Sequence, residues 1–128
     1  MKRKFIVALL AICFVAACSD EEPNVAMTAE HSFDPESISV EAGQTVTFTN
    51  DSDESHTVTA YEDELPQGAE YFSSGDFSGE DEARANVARG LMKSGDEFGV
   101  TIDEPGTYSY FCIPHEGDGM IGTIVVEE

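Results

Sequence analysis

One segment of this 128-residue chain concentrates side chains that bind metals: Tyr110-Phe111-Cys112-Ile113-Pro114-His115-Glu116-Gly117-Asp118-Gly119-Met120. Cys112, His115 and Met120 offer a thiolate, an imidazole and a thioether at the end of a strand-like run. Two imidazoles and a thiolate in a plane, with a weak thioether on the axis, form the ligand set of a blue-copper site. Thiolate and thioether favour Cu(I) and imidazole tolerates both oxidation states, so one geometry serves both. Gly117 and Gly119 permit the tight loop that returns Met120 towards the metal. The set implies one copper ion per chain, cycling between Cu(I) and Cu(II).

The second imidazole must come from elsewhere in the chain. His56 opens a strand-like run directly after the polar loop Asp51 to Ser55, at what would be one end of a sandwich. His31 is the competitor. It precedes the break Phe33-Asp34-Pro35 without a comparable partner and reads as a surface or turn histidine. A cysteine–histidine nucleophile would need an orienting third group and an oxyanion donor, and it leaves Met120 without a role. A structural zinc site is normally closed by cysteine and histidine, again without methionine.

The elements that must position these residues are mostly strands. Val25, Met27 and Ala29 alternate with polar residues, as do Ile38 and Val40. Thr45 to Asn50 places Val46 and Phe48 on one face, and His56 to Ala60 follows the acidic loop. Phe98, Val100 and Ile102 then share a face, as do Tyr108, Tyr110 and Cys112 after the Pro105-Gly106 turn, and Ile121 to Val126 closes the chain as a buried strand. About seven to eight short strands with turns between them predict an all-β, largely antiparallel sandwich. The exception is a predicted helix at about 79–92: Ala83, Val87 and Leu91 recur every four residues, with Ala88 and Met92 beside them. Ser78 is its expected cap, Glu80, Asp81 and Glu82 load its first turn, and Gly90 limits its end.

At these residues the chain resembles the plastocyanin-like cupredoxins, including halocyanins. The resemblance rests on Val46-x-Phe48-x-Asn50, His56, and Cys112-x2-His115-x4-Met120, with Ser32 to Gly43 as a typical opening. It covers residues 25 to 126 and implies a cupredoxin-like Greek-key β-sandwich. Azurins have a longer cysteine-to-histidine loop, amicyanins a shorter histidine-to-methionine one, and the binuclear centre of cytochrome oxidase needs two cysteines. The resemblance implies a type 1 copper site with His56, Cys112 and His115 in the plane and Met120 on the axis. It also implies that His115 is the more exposed ligand and the electron port, ringed by Ile113, Pro114 and Met120. The implied role is electron transfer without bond-making, hence no enzyme, with redox partners such as a cytochrome or a membrane oxidoreductase. A periplasmic carrier that delivers copper without redox cycling is the alternative. Two departures stand out: Thr57 follows the first ligand where plastocyanins often have a bracing Asn, and residues 62–93 are longer and more acidic than in a minimal plastocyanin.

The N-terminus is not expected to join the fold. Lys2, Arg3 and Lys4 precede an apolar run, Phe5 to Ala17, of signal-peptide length and short for a membrane span. Val15-Ala16-Ala17-Cys18 resembles a bacterial lipobox, with Val15 in place of the usual Leu. The expected organisation is therefore a signal peptide at 1–17, an acidic tether at 18–23 lipidated on Cys18, and one domain at 24–128, exported and membrane-anchored, facing the periplasm or cell exterior. Cys13 leaves with the signal and Cys18 takes the lipid, so Cys112 has no disulfide partner.

Formal net charge is −20, from 6 basic and 26 acidic residues. Without Lys2, Arg3 and Lys4 three basic residues face the same 26 acids, a net −23. That excludes nucleic acid as a partner, because phosphate binding needs a basic surface. The acids fall in nearly every loop, a spread that fits adaptation to salt better than a single docking patch for a basic partner. The chain is expected to be a monomer.

Overall fold

The computed structural model describes residues 22–128. Its eight strands are β1 (Asn24–Met27), β2 (Phe33–Asp34), β3 (Ser37–Glu41), β4 (Thr45–Asn50), β5 (Thr59–Ala60), β6 (Glu97–Thr101), β7 (Gly106–Phe111) and β8 (Ile121–Glu127). They form two four-stranded sheets, ordered β2-β1-β4-β6 and β3-β8-β7-β5. This is the all-β sandwich that the strand spacing predicts.

Two pairings differ from a purely antiparallel reading: β1 runs parallel to β4, and β3 parallel to β8. Parallel neighbours need a crossover connection, and the chain supplies it by passing through the other sheet: β3 intervenes between β1 and β4, and β4 and β6 between β3 and β8. Alternation holds where it was expected. Val46, Phe48 and Asn50 are buried along β4, and Tyr108 and Tyr110 along β7, where their neighbour Phe111 is buried as well and breaks the alternation at the strand's end. In β8, however, Gly122, Ile124 and Val126 are buried while Ile121 is exposed, so this strand buries one face.

The centre of the core is aromatic. Tyr110 meets Phe33 edge-on at 4.7 Å and Phe48 at 5.1 Å between ring centroids, the arrangement that the ring quadrupoles favour. Gly122 lies opposite Tyr110 in the β7–β8 ladder, and a Cβ there would stand 2.4 Å from the ring. Tyr108 donates its hydroxyl to the Glu104 carbonyl at 2.6 Å, closing the Pro105-Gly106 turn that starts β7.

The single helix expected at 79–92 is instead two short ones, α1 (Glu80–Ala85) and α2 (Val87–Gly90), broken at Asn86. The Asn86 amide donates to the Glu82 carbonyl at 2.9 Å, a local bond that competes with helix continuation. Gly79, not Ser78, occupies the N-cap; the Ser78 N–H and hydroxyl both donate to Glu82 Oε2, at 3.0 and 2.8 Å. Ala83 is buried but Ala88 is exposed, and Met92 lies beyond the helix. Among the described residues no helix is long and apolar enough to cross a membrane.

Candidate metal centre

The two ligand-bearing loops meet at one end of the sandwich. The loop after β4 ends at His56, and a 3-10 turn, Ile113–Asp118, follows Cys112 at the end of β7. They bring His56 Nδ1 and His115 Nδ1 to 3.1 Å, and place Cys112 Sγ 3.4 Å from His115 Nδ1 and 3.7 Å from His56 Nδ1. Nitrogen donors about 2.0 Å and a sulfur about 2.3 Å from a common ion in one plane would stand roughly 3.5 and 3.7 Å apart. The three atoms therefore fit a trigonal metal site within a few tenths of an ångström. Met120 is fully buried, and its backbone folds back on the loop: its carbonyl accepts from Cys112 N–H at 3.0 Å, and its N–H donates to the His115 carbonyl at 3.2 Å. Gly119, with φ of 82°, makes that return in the left-handed region.

His56 is oriented by a buried polar chain. The Ser52 hydroxyl donates to Asn50 Oδ1 at 2.8 Å and lies 2.9 Å from His56 Nε2. With its single proton committed to Asn50, Ser52 accepts from His56, so Nε2 carries the ring proton and Nδ1 presents a lone pair to the site. Asn50 fixes the loop in turn, donating to the Glu54 and Met92 carbonyls at 2.7 and 2.9 Å. The His56 backbone forms an isolated two-way bridge with Met92 rather than opening a long strand, N to O 3.1 and 2.7 Å.

Thr57 performs two tasks. Its N–H points at Cys112 Sγ at 3.4 Å, and its hydroxyl accepts from Ile113 N–H at 2.8 Å. The side chain in the position often held by Asn thus still ties the first-ligand strand to the second-ligand turn. Burial pushes the Cys112 thiol up, partly offset by the Thr57 N–H, and burial pulls His56 and His115 down. The metal-free site is therefore neutral, and a metal must displace the thiol proton on binding.

His115 is the more exposed of the two imidazoles: its side chain is 15% exposed, whereas His56 is fully buried. Ile113 and Pro114 flank it as expected, but Met120 is buried beneath and does not join the rim. His31 fills the other side, contrary to its reading as an ordinary turn histidine. Its ring stacks on His115 at 3.8 Å between centroids and 19° between planes. His31 Nε2 lies 2.5 Å from Glu54 Oε2 and Nδ1 2.9 Å from Asp118 Oδ2. The Glu54 bond, more than any other influence, raises its pKa above the ordinary histidine value. Spacing offered no sign of this contact, since His31 and Asp118 stand 87 positions apart.

The acidic insertion also touches the site. Arg84 of α1 pairs with Glu80 at 2.8 Å and with Glu116 of the ligand turn at 2.9 Å. Its guanidinium lies 4.3 Å over the ring of Phe111, whose other neighbour, Tyr61, stacks with centroids 4.3 Å away.

Comparison with known proteins agrees with this geometry. Residues 22–127 match the model of the copper-binding proteins of the plastocyanin/azurin family. Plastocyanin of Scenedesmus fuscus is 39% identical over 97 residues, covering 74% of this chain and 86% of that one. Chloroplastic plastocyanin of Hordeum vulgare is 37% identical over 94 residues, and the match spans 73% of this chain and 54% of the longer relative. A solved pseudoazurin from Sinorhizobium superposes with a TM-score of 0.59 at 32% identity, covering 82% of this chain and 72% of that one. The chain belongs to the plastocyanin/azurin family of copper-binding proteins, and copper is its cofactor.

Proposed function

We propose that this protein moves single electrons through a type 1 copper site that Cys112, His56, His115 and Met120 would hold. The observation that carries the reading is the convergence of three neutral donor atoms, from two separate loops, on one point. Copper bound there supplies a one-electron couple between Cu(I) and Cu(II). The chain's own residues hold that point still: Ser52 fixes the His56 ring, Thr57 links the two ligand loops, and the Cys112–Met120 backbone bond closes the turn. Rigid donors suit a carrier, because little has to move when an electron arrives. Its partners are redox proteins such as a cytochrome or a membrane oxidoreductase, met at the His115 end by a monomer. The protein makes and breaks no substrate bonds.

The N-terminal assignments, a signal peptide at 1–17 and lipidation at Cys18, lie outside the described residues; of the tether at 18–23, only Glu22 and Pro23 fall within them. We keep them as part of the proposal: export, a membrane anchor, and a folded domain at 24–128 facing the periplasm or cell exterior. Mass spectrometry of the mature N-terminus tests that part, with a lipidated Cys18 expected and an unmodified N-terminus at any other residue against it.

The rival is a copper carrier that delivers metal without redox cycling. Repeated oxidation and reduction of the copper-loaded protein beside a competing chelator separates the two. An electron carrier retains its copper through many cycles. Loss of the metal to the chelator within a few cycles would favour delivery.

A further inference from the structure

We infer that His31 is a positioning residue of the metal centre, a clamp whose ring face holds His115 while its two nitrogens tie together the loops that carry His56 and His115. The inference rests on the ligand assignment proposed above and concerns how one of those ligands is kept in place.

His56 and His115 are supported unequally. His56 Nε2 has Ser52 at 2.9 Å. His115 Nε2 has no hydrogen-bond partner among the described residues; the nearest carboxylate oxygen, on Glu54, stands 3.7 Å away, beyond hydrogen-bond length. A metal-binding imidazole normally has its second nitrogen fixed by an outer partner, which sets the ring's orientation. His115 lacks that support and has the stacked His31 ring instead.

His31 is itself held from three sides. Glu54, two residues before His56, takes one nitrogen, and Asp118, the last residue of the His115 turn, takes the other. Its backbone, at φ of 54°, adopts a conformation that residues with side chains rarely use. The turn between β1 and β2 encloses it: Thr28 N–H donates to the Ser32 carbonyl at 3.0 Å, His31 N–H to the Thr28 carbonyl at 3.3 Å, and the Thr28 and Ser32 hydroxyls lie 2.7 Å apart. An unusual backbone conformation that delivers a ring to a ligand's face is a reason to look for function.

The same residues do not form a second metal centre. Donor atoms of His31, Glu54 and His115 lie within 4.8 Å of one another. The two rings are nearly parallel, however, so their nitrogen lone pairs run side by side instead of converging, and both His31 nitrogens already contact carboxylates.

The test compares wild type with His31→Ala, which removes ring and ties, and His31→Phe, which keeps a ring for His115 and loses both carboxylate ties. Amide hydrogen exchange of the metal-free proteins reads the clamp directly. His31→Ala should speed exchange about tenfold in both loops, 51–56 and 113–119, while β4 and β7 stay protected. His31→Phe should recover protection in 113–119 more than in 51–56. Electron self-exchange of the copper-loaded proteins, measured at molar salt, should be slower in His31→Ala and largely restored in His31→Phe. Faster amide exchange confined to residues 28–33, or self-exchange identical in wild type and His31→Ala, would overturn the inference. A wild-type chain that fails to bind copper through Cys112 would count against the ligand assignment instead, and the metal-free exchange pattern would still decide the clamp.

Discussion

Ser52 and Thr57 do for the ligands what a list of ligands cannot: they decide which nitrogen faces the metal and how far apart the two loops stand. Met120, proposed as the weak fourth ligand, is the place where a residue change should tune the site without dismantling it. A weak thioether disfavours Cu(II) relative to Cu(I), and an oxygen donor does the reverse. Met120→Gln should therefore keep copper and lower the reduction potential, and Met120→Leu should raise it; protein-film voltammetry reads both, and equal potentials would remove Met120 from the ligand set. Cys112, His115 and Met120 were legible because they share one short segment, and His56 because it opens a run after a polar loop. Ser52 was not, since a serine in an acidic loop carries no sign of a buried hydroxyl chain. His31 was missed for a different reason: tertiary topology, not spacing, brings the β1–β2 turn over the ligand turn.

At the scale of elements, the ladder between β7 and β8 sets where Cys112 begins. Tyr110 needs the space that Gly122 leaves, and its ring then anchors Phe33 and Phe48. Gly122→Ala forces a methyl into that ring, an overpacking that costs about 1–3 kcal/mol. For a domain of roughly this size each kcal/mol lowers the melting temperature by about 4–8 °C or somewhat less. Calorimetry of the variant should show that loss, and an unchanged melting temperature would mean that Tyr110 can move aside freely. Period-two alternation made the strands legible, and β4 matches its expected bounds residue for residue. The helix was misjudged because a stripe of small apolar residues has the right period whether or not it is buried. Asn86 settled the matter through a side-chain bond that periodicity does not register. Parallel pairing of β1 with β4 was also hidden, as the alternation in a strand does not state its neighbour's direction.

For the whole molecule, charge is the dominant feature. Arg84, Arg89 and Lys93 are the cations of the described residues, set against carboxylates in most loops. Arg84 is already engaged by Glu80 and Glu116. Like charges repel over a Debye length of about 10 Å at 0.1 M salt and about 3 Å at 1 M. The melting temperature should rise substantially between dilute buffer and molar KCl, in line with a surface adapted to salt. A flat profile would favour a local docking patch for a basic partner, whose signature is an association rate that falls with salt.

The central claim is that Cys112 sulfur binds copper in a plane with His56 and His115. The visible absorption spectrum of the copper-loaded, oxidised protein tests it most directly. An intense blue band from thiolate-to-copper charge transfer, bleached on reduction and lost completely in Cys112→Ser, is the predicted result. A wild-type protein that stays colourless with copper added, or a Cys112→Ser variant that keeps the band, would contradict it.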